Sequence, residues 1–222
     1  CAWVDRTEVT FAQYRAFEKA IGLDIVTGGL GDGADLQHTP QCQETNDDFR
    51  PDLFCLSQSS ATFDPPSQGD LTPVVCVDSC DAEAFCRWAG KTLCGSVDQE
   101  EARQNPLYMA CSSEGAHAYP YGDTYQGGAC NDAGFPTTLD PCPGKRCARD
   151  VDTLPACRTP GNHVADLVGN VAEWTSDCDL FNHCDARGGS FLDPEAGASC
   201  ADLIGYERLT HQPHLGFRCC AR

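Results

Sequence analysis

The sequence is poor in basic residues, which limits the partners that it can bind. Its 222 residues include 15 lysines and arginines against 33 aspartates and glutamates, giving a formal net charge of −18. Proteins that bind nucleic acids or anionic membranes neutralise phosphates with clustered basic side chains, so both roles are excluded. The chain also lacks any run of about 18 apolar residues, so no transmembrane segment is predicted.

Cys-x-x-Cys pairs, which zinc sites commonly use, are absent although the chain has 17 cysteines. Thiols in the cytosol stay reduced, so this many cysteines predict a disulfide-rich protein exported from the cytoplasm. An odd number leaves at least one sulfur free, intermolecular or modified. The closely spaced cysteines suit disulfide-tied loops and are Cys76 and Cys80, Cys142 and Cys147, Cys178 and Cys184, and Cys219 and Cys220.

Two segments have the pattern of capped amphipathic helices. Thr10 and Gln13 form a capping box, and an apolar stripe follows it until Gly22. A second helix is predicted from residue 78 or 79 to Gly90. Long stretches between such elements are rich in glycine, proline and other turn formers. The pattern therefore predicts an α+β fold with low regular secondary structure, in which disulfides stabilise long loops.

The remaining predicted elements are shorter or less clearly bounded. Gln99 would complete a capping box with Ser96, which predicts a third helix from Ser96 toward Cys111. Four short strands are predicted, at Ala2–Val4, Val74–Val77, Val171–Thr175 and Gly216–Cys219.

Six motif segments, spread over most of the chain, occur in one order. They are Asp5–Thr10, Pro73–Val75 with Ala84–Lys91, Tyr119–Gly122, Asp166–Asp177, Arg187–Phe191 and Leu215–Cys219. Together they resemble the formylglycine-generating enzyme (sulfatase-modifying factor) domain family, in its cysteine-rich secreted bacterial branch. The resemblance implies one domain over residues 1–222, with the C-type-lectin-like fold of the formylglycine-generating type.

The same resemblance implies that the family's chemistry is lost. Its enzymes oxidise a sulfatase cysteine to formylglycine with two copper-binding cysteines, and this chain has Asp193 and Glu195 at those positions. Copper(I) is soft and prefers thiolates, so no copper is expected. Both acids are interpreted as solvated surface residues. The alternative is an enzyme of this family, oxidising sulfatase cysteines or performing altered metal-dependent chemistry.

The family's structural cysteines have counterparts here. The resemblance pairs Cys111 with Cys200 and Cys86 with Cys219, and a further disulfide between Cys142 and Cys147 is one possibility. Each of the first two closes a long loop, which could stabilise the fold by roughly 3–5 kcal/mol.

Calcium is the predicted cofactor. The resemblance implies that Asp166 and Glu173 bind it through side chains, and Gly169 and Val171 through carbonyl oxygens. Mixed carboxylate and carbonyl oxygens are the ligands that calcium prefers. The competing interpretation is that Glu173 caps a turn while Asp166 is solvated.

A second calcium site is only weakly supported. Asn131 and the carbonyl of Asp132 match its first ligands, but the later aspartate position falls near Arg146. A disulfide, with Cys142–Cys147 as the candidate, is the alternative cross-link at this position.

The expected role is a binding or structural module in a secreted, periplasmic or cell-surface location. Its partner would be a protein, a glycan or the other subunits of a surface assembly. Cys1 suggests either a disulfide to the C-terminal region, which we favour, or lipoprotein anchoring.

Overall fold

The computed structural model describes residues 3–22, 42, 49–64, 67–96, 104–139, 141–142, 144–161 and 164–221. The helices are α1 (Phe11–Ala20), α2 (Leu53–Leu56), α3 (Ser79–Trp88) and α4 (Pro106–Cys111). The strands are β1 (Trp3–Val4), β2 (Thr92–Leu93), β3 (Ala172–Cys178), β4 (His183–Arg187), β5 (Leu203–Glu207), β6 (Leu215–Phe217) and β7 (Cys219–Ala221). Among these residues, no helix has the length and apolar character needed to cross a membrane.

The first two predicted helices are confirmed, including their N-terminal caps. The Thr10 side chain accepts from the Gln13 amide and the Gln13 side chain accepts from the Thr10 amide, which is the predicted capping box. Asp78 and Asp81 form the same arrangement at the start of α3. These reciprocal bonds satisfy amides that the first helical turn leaves unpaired.

The predicted start of the third helix at Ser96 stays a prediction, because the residues that follow Ser96 lie outside the described part of the chain. Ser96 itself donates from its amide and hydroxyl to the Asp177 carboxylate over 2.6 and 3.1 Å. The described helix begins at Pro106, and the Asn105 side chain accepts from the amide of Leu107. Proline suits the first helical position because the amide that it lacks would be unpaired there. The proposed partner Gln99 lies outside the described residues.

The first sheet has three strands in the order β1-β7-β2. The last strand, β7, therefore lies beside the first, β1. Trp3 lies opposite Ala221, and both pairings in this sheet are antiparallel. A second sheet has the order β5-β4-β3-β6, in which β3 and β6 run parallel. This parallel pair brings Glu173 opposite Gly216.

One predicted strand is absent, since residues 74–77 are a buried segment without strand pairing. Cys76 has a φ of 61° and is bonded to Cys55, so the backbone cannot continue as a regular strand. The segment still contributes to the main core, because Val74, Val75 and Val77 have 0% exposure. Burial alone therefore explains its apolar sequence.

The main core is aromatic and lies between α1, α3 and the second sheet. Trp174 is fully buried and its indole nitrogen donates to the Val77 carbonyl. Trp88 is 41% exposed, with one side against Phe17 and Phe85.

Eight disulfides join sixteen cysteines of the described residues. The two pairs implied by the resemblance, Cys86–Cys219 and Cys111–Cys200, are present. Of the four closely spaced cysteine pairs, Cys142–Cys147 and Cys178–Cys184 are bonded, whereas Cys76 and Cys80, and Cys219 and Cys220, are bonded to other cysteines. The other disulfides are Cys42–Cys80, Cys55–Cys76, Cys94–Cys220 and Cys130–Cys157. The favoured disulfide of Cys1 concerns a residue outside the described part of the chain.

Candidate functional site

The segment from Asp166 to Val171 is a buried turn in an unusual backbone conformation. Asp166, Gly169 and Asn170 have φ angles of 56°, 72° and 59°. A Cβ atom on Gly169 would lie 2.6 Å from the carbonyl oxygen of Asn131, so only glycine fits. The Asn170 amide donates to that carbonyl over 2.7 Å. These contacts fix the turn against the neighbouring loop just before β3.

Glu173, in β3, forms a buried ion pair with Arg218. The Arg218 Nε donates to Glu173 Oε2 over 2.7 Å, and Nη2 donates to Oε1 over 2.5 Å. The same guanidinium donates to the carbonyl oxygens of Asp5 and Ala165 over 3.1 and 2.9 Å. Because Gly216 lies opposite Glu173 and strand side chains alternate, the arginine two residues later faces the glutamate.

Two more carboxylates, those of Glu8 and Asp166, lie in the same buried region. Glu8 Oε2 is 3.9 Å from Arg218 Nη2 and has no hydrogen-bond partner among the described residues. Glu8, Asp166 and Glu173 are 1%, 4% and 3% exposed. We call these three residues and Arg218 the buried ion cluster. Three carboxylates and one guanidinium give it a net charge of −2 when all are ionised.

The low-dielectric surroundings oppose this accumulation of negative charge. Burial raises the pKa of Glu8, Asp166 and Glu173, that of Asp166 to about 6, while the Arg218 charge acts in the opposite direction. A divalent cation would neutralise the excess charge, and carboxylates are hard oxygen ligands. The donors are of the kind that calcium takes: Asp166 and Glu173 lie in one cluster, with Gly169 and Val171 on the segment between them. Both Glu173 oxygens already accept from Arg218, so an ion there would have to share them.

Glu8 and Arg218 had no role predicted from the sequence, although both lie in motif segments. Each is a charged residue beside apolar ones, Glu8 before Val9 and Arg218 after Phe217. Charged side chains are rarely fully buried unless they are paired, so such a context indicates a buried partner. It does not identify that partner.

The Arg146 guanidinium donates hydrogen bonds to carbonyl oxygens of the loop formed by residues 132–135. Arg146 Nη1 donates to the carbonyls of Asp132 and Phe135 over 3.0 and 3.2 Å, and its Nη2 donates to that of Ala133. The Asn131 side-chain nitrogen donates to two further oxygen atoms of the protein. Of the two residues predicted for a weak second calcium site, Asp132 therefore already binds a cation of the protein through its carbonyl, while the Asn131 side chain is bonded elsewhere.

Asp193 and Glu195, at the positions implied for the family's cysteines, differ in their surroundings. Asp193 Oδ2 accepts from the Ser190 amide over 2.8 Å and from its hydroxyl over 2.6 Å. Asp193 is thus partly buried and closes a turn, which corrects its interpretation as a solvated acid. Glu195 starts the short 3₁₀ helix Glu195–Gly197 and is exposed.

Three tyrosines in the loop after α4 form a small aromatic group. The rings of Tyr119 and Tyr121 stack with centroids 5.4 Å apart, and the Tyr125 ring is 5.8 Å from that of Tyr119. The Tyr125 hydroxyl donates to Asp132 Oδ1 over 3.1 Å. Burial raises the pKa of all three tyrosines, that of Tyr125 to about 12, and the charges of Asp132 and Glu195 raise them further. Both carboxylates therefore act on the same group of phenols.

Comparison with known proteins gives a match over nearly the whole chain. The profile of the family described as sulfatase-modifying factor enzyme 1-like domain matches residues 2–222. Among curated proteins, the inactive C-alpha-formylglycine-generating enzyme 2 of Bos taurus is 30% identical over 159 residues, 66% of this chain and 49% of that protein. The formylglycine-generating enzyme of Bos taurus is 29% identical over 234 aligned residues, 99% of this chain and 60% of that protein. The chain therefore spans about half to three-fifths of the length of these relatives.

Solved structures match the fold at lower sequence identity. PvdO from Pseudomonas aeruginosa is 18% identical with a TM-score of 0.62, covering 98% of this chain and 78% of its own. CarF is 16% identical with a TM-score of 0.57, covering 98% of this chain and 85% of its own. Treponema denticola variable protein 1 is 16% identical with a TM-score of 0.52, covering 100% of this chain and 84% of its own. These likenesses confirm the predicted α+β fold of the formylglycine-generating type.

Proposed function

The chain belongs to the sulfatase-modifying factor enzyme 1-like domain family, and we propose that it is a non-catalytic, calcium-stabilised member that binds a partner outside the cytoplasm. One observation carries the proposal: Asp193 and Glu195 stand where the resemblance places the copper-binding cysteines. Copper(I) prefers thiolates to carboxylates, and Asp193 is engaged with Ser190. One similar curated protein is itself named as inactive.

The disulfides strengthen this argument, because they leave the described residues without a free thiol. All sixteen described cysteines are bonded in pairs, and Cys200, which follows the altered segment, is bonded to Cys111. A disulfide sulfur cannot act as a thiolate ligand. Binding of copper by any of these sixteen cysteines would therefore require reduction of the fold's own cross-links.

We expect the purified protein to leave a sulfatase-type Cys-x-Pro-x-Arg peptide unoxidised when copper and oxygen are supplied. Mass spectrometry would detect conversion of the peptide cysteine to an aldehyde, with a formylglycine-generating enzyme as the positive control. Conversion above the protein-free rate would contradict the proposal. It would favour the alternative, an enzyme of this family, as would stoichiometric transition metal in elemental analysis.

The buried ion cluster supports the calcium part of the proposal. Its carboxylates carry an excess charge of −2 in the interior, and Glu8 Oε2 has no hydrogen-bond partner in the described chain. We propose Asp166 and Glu173 as side-chain ligands and Gly169 and Val171 as carbonyl ligands, with Glu8 adding negative charge nearby. Bound calcium would supply charge neutralisation and a cross-link between the turn and β3.

Calcium is expected to raise the melting temperature, because it binds the folded cluster and not the unfolded chain. At a concentration 100 times the dissociation constant, the gain is about 2.7 kcal/mol, or roughly 5–10 °C for a chain of this size. Asp166→Asn should remove most of the gain. Affinity should weaken as the pH falls through about 6, because protons then compete for Asp166. Equal melting temperatures in calcium and in chelator would contradict the proposal.

We propose that Arg146 takes the place of a second calcium ion. Its guanidinium binds the carbonyls of three residues in the 132–135 loop, including Asp132, so the loop gains a cation without a metal. Calorimetric titration should accordingly give one calcium ion per chain. A stoichiometry of two would contradict the role proposed for Arg146.

The location and partner follow from composition. Disulfides persist in oxidising compartments, and eight are present among the described residues. This supports a secreted, periplasmic or cell-surface location. With a net charge of −18, the partner would be a protein, a glycan or an assembly subunit rather than a nucleic acid.

A further inference from the structure

Asp132 has a buried carboxylate oxygen that the described residues leave unsatisfied. The residue is 0% exposed. Its Oδ1 accepts from the Tyr125 hydroxyl over 3.1 Å and from the Gly134 amide over 2.7 Å. Its Oδ2 has no hydrogen-bond partner among the described residues. Buried polar atoms in native proteins are nearly always paired, so this oxygen indicates a donor beyond the described residues.

Tyr125 is bonded to Asp132, and two nearby glycines leave room for its ring. A Cβ atom on Gly134 would collide with the Tyr125 hydroxyl, and one on Gly127 would touch its ring at 3.6 Å. The two glycines therefore let the ring lie close against the loop, with its hydroxyl bonded to Asp132.

The surroundings of this oxygen are aromatic and negatively charged. Tyr119 and Tyr121 stack next to Tyr125. The segment that carries the exposed Glu195 lies against the same loop, since the Ala133 amide donates to the Asp193 carbonyl over 2.9 Å and the Cys200 amide donates to the Ala118 carbonyl over 3.0 Å. The neighbouring guanidinium of Arg146 donates its hydrogen bonds to backbone carbonyls. Aromatic faces attract cations, and adjacent carboxylates strengthen that attraction.

We propose that Tyr119, Tyr121, Tyr125, Asp132 and Glu195 form a binding site for the cationic side chain of an arginine or lysine on a partner protein. We call this group the tyrosine–carboxylate site. The inference rests on the proposed function, since it names the chemistry of the partner that the non-catalytic module binds. It also gives Glu195, at a position implied for a catalytic cysteine, a role in recognition.

An organic cation fits this site better than a metal ion does. Calcium takes six to eight oxygen ligands, whereas this site combines two carboxylates with three aromatic rings. The rings can pack against the methylene groups of a long basic side chain while its head meets the carboxylates. The net charge of −18 would also speed the approach of a basic partner.

The test is an NMR titration that follows the tyrosine ring signals. The probe is a short peptide with one central arginine, and its matched control carries citrulline, which is neutral but nearly the same shape. We expect the arginine peptide to bind at least about tenfold more tightly and to lose affinity as salt is raised. Glu195→Gln should weaken binding about tenfold. Glu207→Gln, an equal change of charge at an exposed residue of β5, should leave it unchanged.

Three results would overturn the inference. Equal affinity for the arginine and citrulline peptides would show that charge is not recognised. Equal effects of Glu195→Gln and Glu207→Gln would show only long-range attraction to an acidic protein. Ethylguanidinium binding as tightly as the peptide would assign the site to free small cations instead of a protein partner. None of these results depends on the peptide oxidation assay, so the inference can fail while the proposed function stands.

Discussion

Replacing Arg218 by glutamine is expected to lower the free energy of unfolding by about 3–5 kcal/mol, because it leaves buried carboxylates without their cation. Arg218 is 0% exposed and donates two hydrogen bonds to Glu173 and one each to the carbonyls of Asp5 and Ala165. Glutamine cannot supply the charge or the same set of donors. Urea denaturation of the calcium-free protein would measure the loss.

Two comparisons make this result specific to the buried ion cluster. Calcium should recover part of the stability of Arg218→Gln, since the ion can supply the missing positive charge. Arg6→Gln removes an arginine that is bonded to Asp152 but whose side chain is 58% exposed, so it should cost less than about 1 kcal/mol. Similar losses in the two variants would show that the buried pair has no special role in stability.

The sequence predicted helix starts well where the determining contacts are local. Thr10 with Gln13, and the Asp78 start of α3, are bonds between residues three apart, so the pattern contains all the partners. The bonds that Ser96 donates could not be predicted in this way, because their acceptor Asp177 is 81 residues away. A local capping pattern contains no information about such a distant carboxylate.

The contacts of the candidate site also divide into local ones, which the sequence predicts, and distant ones, which it does not. Asp166, Gly169, Val171 and Glu173 belong to one contiguous motif, so their proximity follows from the sequence. The partner of Glu173, by contrast, is Arg218, 45 residues on, and Glu8 meets Asn170 across 162 residues. These contacts depend on the parallel pairing of β3 with β6 and on the position of the chain's first motif, neither of which local patterns determine.

The tyrosine–carboxylate site shows a further limit of sequence reasoning. Tyr119 and Tyr121 were recognised as part of a family motif, and Glu195 as a degenerate catalytic position. Nothing in the sequence spacing indicated that these residues meet, or that Asp132 would present a side-chain oxygen with no partner in the described chain. That arrangement depends on loop packing, including the hydrogen bond from the Ala133 amide to the Asp193 carbonyl over 2.9 Å.

Removal of the Cys86–Cys219 disulfide is the second change with a large expected effect. It joins α3 to β7 across 133 residues, and both cysteines are 0% exposed in the main core. Loop-closure entropy in the unfolded chain gives an expected loss of about 5 kcal/mol for Cys86→Ala with Cys219→Ala. Urea denaturation under non-reducing conditions would measure this loss, with circular dichroism to confirm that the variant folds.

The matched control is the Cys142–Cys147 disulfide, which spans only 5 residues. Removing it with the same pair of substitutions should cost about 2 kcal/mol, because a short loop loses little entropy on closure. The prediction concerns the difference between the two losses in free energy of unfolding, since both variants delete one disulfide and two sulfur atoms. Equal losses would mean that local contacts of the bonds matter more than the length of chain they enclose. The larger loss at Cys86–Cys219 would instead show that linking distant segments is a main source of stability in a fold with so little regular structure.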